Sequence, residues 1–133
     1  MIAVDTSALI EILMDQPDGG RCLQALAREN EILISAGTMA EALIVAARRG
    51  VGEEMRRLFD EITLEIVPVD SESARRAADA YNLWGKGIHP AKLNYGDCFA
   101  YELAKTYNCP LLFVGNDFAQ TDITSALQSA SRP

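Results

Sequence analysis

The chain has 133 residues, 49% of them hydrophobic and 23% charged, which suits one domain with a proper core spanning residues 1–133. A net charge of −7 argues against a protein that clings to nucleic acid by bulk positive charge, though not against one that acts on it. No apolar run approaches the roughly 20 residues of a membrane span, and the N-terminus lacks the basic start of a signal peptide, so a cytoplasmic protein with no membrane partner is expected.

Ile2, Ala3 and Val4 form a short apolar run, the expected first strand, with Asp5 directly after it. A carboxylate at the end of a buried strand is costly unless something pairs with it. Ser7 to Met14 then reads as a helix, and the QPDGG stretch from Gln16 to Gly20 as a loop. Gly20 to Glu29 is an expected second helix, with Cys22, Leu23 and Leu26 on one face. Ile32 to Ile34 makes a second strand, and a nearly all-apolar helix opens at Thr38 and runs through Ala47 to Arg48, Arg49 and Gly50.

Val51 to Ile62 repeats the helical pattern. Leu64, Ile66 and Val67 make a third strand, stopped by Pro68, and Asp70 or Ser71 caps a helix that runs through Asn82. Trp84 to Asn94 (WGKGIHPAKLN) is the longest irregular stretch, of the kind that is usually functional or mobile. Asn94 caps the next helix, Tyr95 to Tyr107, and Leu111 to Val114 forms a fourth strand ending in Gly115, Asn116 and Asp117. Residues from about 125 to 133 read as a polar, frayed tail. Cys22, Cys98 and Cys109 are odd in number and lack metal or redox spacing, which fits reduced core residues. Alternating strands and helices predict an α/β fold with a mainly parallel central sheet flanked by helices.

Function in open parallel sheets collects at the carboxyl ends of the strands, and four acids fall there or at a helix start. They are Asp5 after the first strand, Glu41 in the first turn of the helix after the second strand, Asp97 in the first turn of the helix beginning near Asn94, and Asp117 after the last strand. Each also has a plain structural reading. Thr38-x-x-Glu41 matches a capping box, Asn94-x-x-Asp97 is a shorter version of one, Asp117 suits a turn, and Asp5 itself could cap a helix. Caps alone do not require the four to share one edge. Two carboxylates 4 Å apart repel by roughly 4 kcal/mol at an effective dielectric near 20, so a converged set stays ionised only around cations. Oxygen ligands without Cys or His suit Mg²⁺ or Mn²⁺ rather than zinc.

These residues resemble a known family. VDTSAL at the start, Glu41 in its apolar helix, NYGDCFAYELA around Asp97 and LLFVGNDFAQTDI around Asp117 are similar to PIN domains, most of all to the VapC toxins of type II VapBC toxin–antitoxin systems. The resemblance covers Ile2 to about Ile123. It implies a PIN-like three-layer fold, Mg²⁺- or Mn²⁺-dependent endoribonuclease activity on RNA such as tRNA or rRNA, a homodimer, and neutralisation by a cognate VapB-type antitoxin. It maps the catalytic quartet onto Asp5, Glu41, Asp97 and Asp117, with Asp5 and Asp97 the principal metal ligands and Glu41 and Asp117 bound directly or through water. Asp122, five residues on, competes with Asp117 for the fourth place.

Thr6 and Ser7 either orient the Asp5 region or cap the helix. His89 is the single histidine, too few for a metal-free acid–base ribonuclease, so with Lys86 and Lys92 it is expected to bind the RNA backbone. The Arg48–Arg49 pair reads as a solvated helix end or a phosphate site. Two other functions compete. A phosphatase with an Asp5 nucleophile typically needs a second acid at position 7, where Ser7 stands. A catalytically silent RNA- or protein-binding module has no need of the intact acids.

Overall fold

The computed structural model describes residues 1–127. Its elements in chain order are β1 (Ile2–Val4), α1 (Thr6–Leu13), α2 (Gly19–Arg28), β2 (Ile32–Ser35), α3 (Ala36–Arg48), α4 (Gly52–Glu61), β3 (Glu65–Val67), α5 (Ser71–Trp84), α6 (Tyr95–Tyr107) and β4 (Leu111–Leu112), followed by a 3₁₀ turn at Phe118–Gln120. The four strands are all parallel, in the order β3-β2-β1-β4.

Alternation along each strand sends side chains to opposite faces, and both faces are covered. Ile2, Val4, Ile32, Ile34 and Leu112 pack with α1 to α4, where Leu9, Cys22, Ala42 and Met55 are buried. Ala3, Leu33 and Leu111 face the other way, onto Ala77 and Ala80 of α5 and Phe99 and Leu103 of α6. The result is the expected three-layer arrangement. Cys22 and Cys98 are buried free thiols and Cys109 is half-buried, as core residues in a reduced protein should be. The helices of the second layer are tied by Arg76 Nε, which donates to buried Glu102 at 2.7 Å.

Strand order places the site. The chain leaves β1 toward β2 and β3 on one side and returns to β4 on the other, so the crossover direction reverses beside β1. The crevice outside the carboxyl ends of the strands at such a reversal is where open α/β sheets bind their ligands.

Two expectations change. Residues 125–127 are docked rather than frayed: Leu111 N donates to Thr124 O and Ala126 N to Leu111 O, both at 2.9 Å, and Leu127 is buried. Backbone pairing along the open edge of β4 docks this polar stretch without needing apolar side chains. The rest of the expected tail, residues 128–133, lies outside the described residues. The stretch after α5 is irregular but not loose. Lys86 N bonds Leu93 O at 3.0 Å, Leu93 N bonds Trp84 O at 3.1 Å, and Ala91 and Leu93 are fully buried.

Candidate active site

Asp5 is the N-cap of α1, with extended backbone (φ −98°, ψ 157°). Its Oδ2 accepts from Ser7 N at 3.0 Å and from Ser7 Oγ at 2.7 Å. Ser7 Oγ in turn accepts from Val114 N at 3.0 Å, which joins the β1–α1 corner to the end of β4. Ser7 therefore orients Asp5, and Asp5 rather than Thr6 or Ser7 supplies the cap. The other oxygen, Oδ1, is buried and has no hydrogen-bond partner. Burial pushes the Asp5 carboxyl up to about 6 against the Ser7 hydrogen bonds, and the charge of Glu41 adds to the rise.

Glu41 is not part of a capping box. Ser35 caps α3, its Oγ accepting from Gly37 N at 3.1 Å, so the helix starts two residues before Thr38. Thr38 is then inside the helix and fully buried, and Glu41 lies beyond the first turn. Its Oε1 accepts instead from Thr6 Oγ1 at 2.7 Å, a link between α3 and α1. Gly96 makes room for the carboxylate, since a Cβ there would collide with Glu41 Oε2.

Asp97 does form the capping box expected of it. Its N donates to Asn94 Oδ1 at 2.8 Å, and its Oδ2 accepts from Asn94 N at 2.9 Å. One oxygen serves the cap, and the capping geometry fixes where the other stands. Burial raises the Asp97 carboxyl to about 7, against the bond from Asn94, and the charges of Asp5, Glu41 and Asp117 push it further. Asp5, Glu41 and Asp117 thus lie close enough for their charges to act on Asp97. Asp5, Glu41 and Asp97 also line one cleft of about 400 Å³ with Val114 at its rim.

Asp117 and Asp122 part company. Asp117 is exposed at the start of the 3₁₀ turn and makes no capping bond. Asp122 accepts from Tyr101 Oη at 2.7 Å and from Lys105 Nζ at 2.9 Å. Burial pushes the Asp122 carboxyl up, but those two hydrogen bonds outweigh it and hold the group below its ordinary value. Its partners lie on the C-terminal half of α6, away from Asp97, and an exposed ion pair of this kind is worth about 0–1 kcal/mol. Asp117→Asn should therefore lower activity about 10-fold or more, and Asp122→Asn should leave activity within about 2-fold while moving stability by under about 1 kcal/mol. Parallel activity assays and denaturant melts check this, and the reverse pattern would hand the fourth place to Asp122.

Among the described residues, no group of three or more His, Cys, Asp or Glu side chains stands close enough together to hold a metal ion as it is. Bare carboxylates repel, and two of these sit with raised proton affinity. The donor set nonetheless fits a hard divalent cation: oxygens only, one of them buried without a partner.

The loop cations are elsewhere. His89 Nδ1 accepts from Ala91 N at 3.0 Å, and its ring lies edge-on to Trp84 at 4.7 Å, so it braces its own loop. Lys86 and Lys92 are exposed, and neither lines the acidic cleft. Arg49 does line it, a residue that sequence reasoning did not single out from its pair. The available signal was the spacing Glu41, Val45, Arg49, one stripe of α3.

A PIN domain family model matches residues 2–123. A VapC ribonuclease of Mycobacterium bovis, Mb0640, is 42% identical over 127 residues, covering 93% of this chain and 97% of its own. Ribonuclease VapC of Mycolicibacterium smegmatis is 39% identical over 127 residues, covering 93% and 98%. Among solved structures, Mycobacterium tuberculosis VapC20, described as a sarcin-ricin loop cleaving toxin, superposes with a TM-score of 0.76 at 12% identity over 93% of this chain and 97% of that one. A toxin–antitoxin complex from Klebsiella pneumoniae gives 0.69 at 20% identity over 92% and 93%. The chain belongs to the PIN domain family and, within it, to the VapC group.

Proposed function

We propose that the chain is a Mg²⁺- or Mn²⁺-dependent endoribonuclease toxin that hydrolyses RNA phosphodiester bonds and is neutralised by a small antitoxin protein. The observation that carries this reading is Asp5 Oδ1, a buried carboxylate oxygen with no donor, on a cleft it shares with Glu41 and Asp97. A buried charge left unpaired is costly, and a cation is the partner that surroundings of carboxylate oxygen call for. Asp5 and Asp97 would hold the ion directly, Glu41 and Asp117 directly or through water. Bound there, Mg²⁺ or Mn²⁺ supplies an activated water and neutralises charge on the phosphate.

The chain's own groups do the positioning. Ser7 fixes the rotamer of Asp5 through two hydrogen bonds. Asn94 N–H pins one oxygen of Asp97 and leaves the other for the cleft. Thr6 holds Glu41 by Oε1, which fixes that carboxylate on the wall of the cleft. Second-layer donors of this kind are typically worth 10–100-fold in metal affinity or activity.

The substrate we infer is a folded RNA with an exposed loop, tRNA or rRNA, because proteins that read RNA sequence mostly target single-stranded loops. The place of action is the cytoplasm. No described helix is long and apolar enough to cross a membrane. Solved relatives of the fold are toxin–antitoxin complexes, which supports an antitoxin as partner here. A homodimer is supported by an exposed apolar face of Ile44, Val69 and Tyr95 beside a groove of about 510 Å³. The phosphatase reading is disfavoured because Ser7 spends its hydroxyl on Asp5.

The test is cleavage by purified chain, freed of partner, with analysis of the RNA ends. Mg²⁺ should support cutting that leaves 5′-phosphate and 3′-hydroxyl ends, and EDTA should stop it. Ends carrying a 2′,3′-cyclic phosphate would mean attack by the ribose hydroxyl and contradict the mechanism. No cutting under any metal condition would leave the silent binding module.

A further inference from the structure

Arg49 follows the last residue of α3, and its backbone N closes the helix onto Val45 O at 3.0 Å. Glu41, Val45 and Arg49 recur every fourth residue, so they form one stripe, and all three line the acidic cleft. Among the described residues, Arg49 is the only Lys or Arg that does so. Its guanidinium is also uncommitted there. Arg21 pairs with Asp18, Arg76 with Glu102 and Lys105 with Asp122, whereas no acid of the cleft lies in ion-pair reach of Arg49, although Glu11 and Glu41 share its walls.

An acidic cleft in a chain of net charge −7 repels an RNA backbone, and metal relieves that repulsion at the scissile phosphate alone. The phosphates on either side need a donor of their own. Eight residues of helix put the Arg49 backbone about 12 Å along the axis from Glu41 at 1.5 Å per residue, a span suited to a phosphate flanking the one that is cut. The planar guanidinium fork matches two phosphate oxygens at once, which a lysine cannot do.

We propose that Arg49 is the phosphate anchor of the substrate track, a positioning residue that grips the RNA backbone beside the cut. The proposal rests on the nuclease reading and replaces the loop cations Lys86, His89 and Lys92 as its principal backbone contact. It concerns binding rather than the chemical step.

The experiment is steady-state cleavage of a labelled single-stranded RNA oligonucleotide by full-length protein in Mg²⁺, across a series of KCl concentrations. Arg49→Gln should raise KM about 10-fold with kcat little changed, the mark of binding shared by ground and transition states. It should also flatten the plot of log kcat/KM against log salt by about 0.7, the loss of one phosphate contact on a single strand. Arg49→Lys should restore the salt slope and only part of the affinity. Arg48→Gln, one residue away and off the stripe, should change neither quantity.

An unchanged KM and slope in Arg49→Gln would overturn the anchor, as would equal effects from Arg48→Gln, which would reduce it to bulk charge. Either result leaves the nuclease reading standing, because wild type still cuts. Wild type that cuts neither the oligonucleotide nor a folded RNA in Mg²⁺ or Mn²⁺ would remove both.

Discussion

Asp97→Asn should lower RNA cleavage by roughly three orders of magnitude or more and leave the fold intact. The two halves of that expectation have separate causes. The amide is nearly the same shape as the carboxylate, and its oxygen can still accept from Asn94 N, so the capping box survives. What disappears is the negative charge that a divalent cation needs. The substitution also removes a carboxyl pushed up to about 7 by burial and by Asp5, Glu41 and Asp117, so metal-free protein should melt no lower than wild type at pH 8. Activity assays, circular dichroism and thermal melts read the three consequences. A variant that lost activity by unfolding would say nothing of catalysis, and the melt separates the cases.

Metal-free protein should become less stable as pH rises from 4 to 7, and Mn²⁺ should reverse the loss. The Asp5 and Asp97 carboxyls titrate near 6 and 7 in the fold, against an ordinary 3.8. Below pH 4 both folded and unfolded chains hold these protons, and neither state gains. Between pH 4 and 7 the unfolded chain ionises first, so stability falls by on the order of a few kcal/mol and then levels off. Mn²⁺ at about 100 times its dissociation constant adds about 2.7 kcal/mol, or a rise in Tm of roughly 10 °C, at pH 8. At pH 5 the ion competes with protons on the same oxygens, and the rise should nearly vanish. Calorimetry across pH with and without Mn²⁺ measures both trends, and Asp5→Asn should flatten them.

Much of the fold was legible because short β-rich apolar runs alternate with helical ones, and both faces of such a sheet must be covered. The convergence of Asp5, Glu41 and Asp97 on one cleft was legible for a related reason, since residues at the carboxyl ends of parallel strands and the helix starts beside them share one edge. Glu41 shows where reading stopped. ISAGTM offers both Ser35 and Thr38 as caps, and only packing decides that the helix begins at Ala36 and leaves Thr38 buried. Asp97 shows a different gap: cap and site residue were weighed as alternatives, and one side chain is placed for both.

Asp117 and Asp122 could not be separated along the chain, because the bonds from Tyr101 and Lys105 that occupy Asp122 are tertiary. The contact of His89 with Trp84 had no signal along the chain, because it depends on a turn whose closure runs through backbone groups. Backbone pairing beside β4 likewise has no side-chain signature, so nothing along the chain separates the docked residues 125–127 from a polar tail.

The claim at the centre of this account is that the buried carboxylates of Asp5 and Asp97 together hold a divalent cation. Titration calorimetry of Mn²⁺ into the chain near pH 6.5, in two buffers of different ionisation heat, tests it most directly. Binding accompanied by proton release is expected in wild type, and little or no binding in Asp5→Asn or Asp97→Asn. Equal Mn²⁺ binding by wild type and both variants would contradict it.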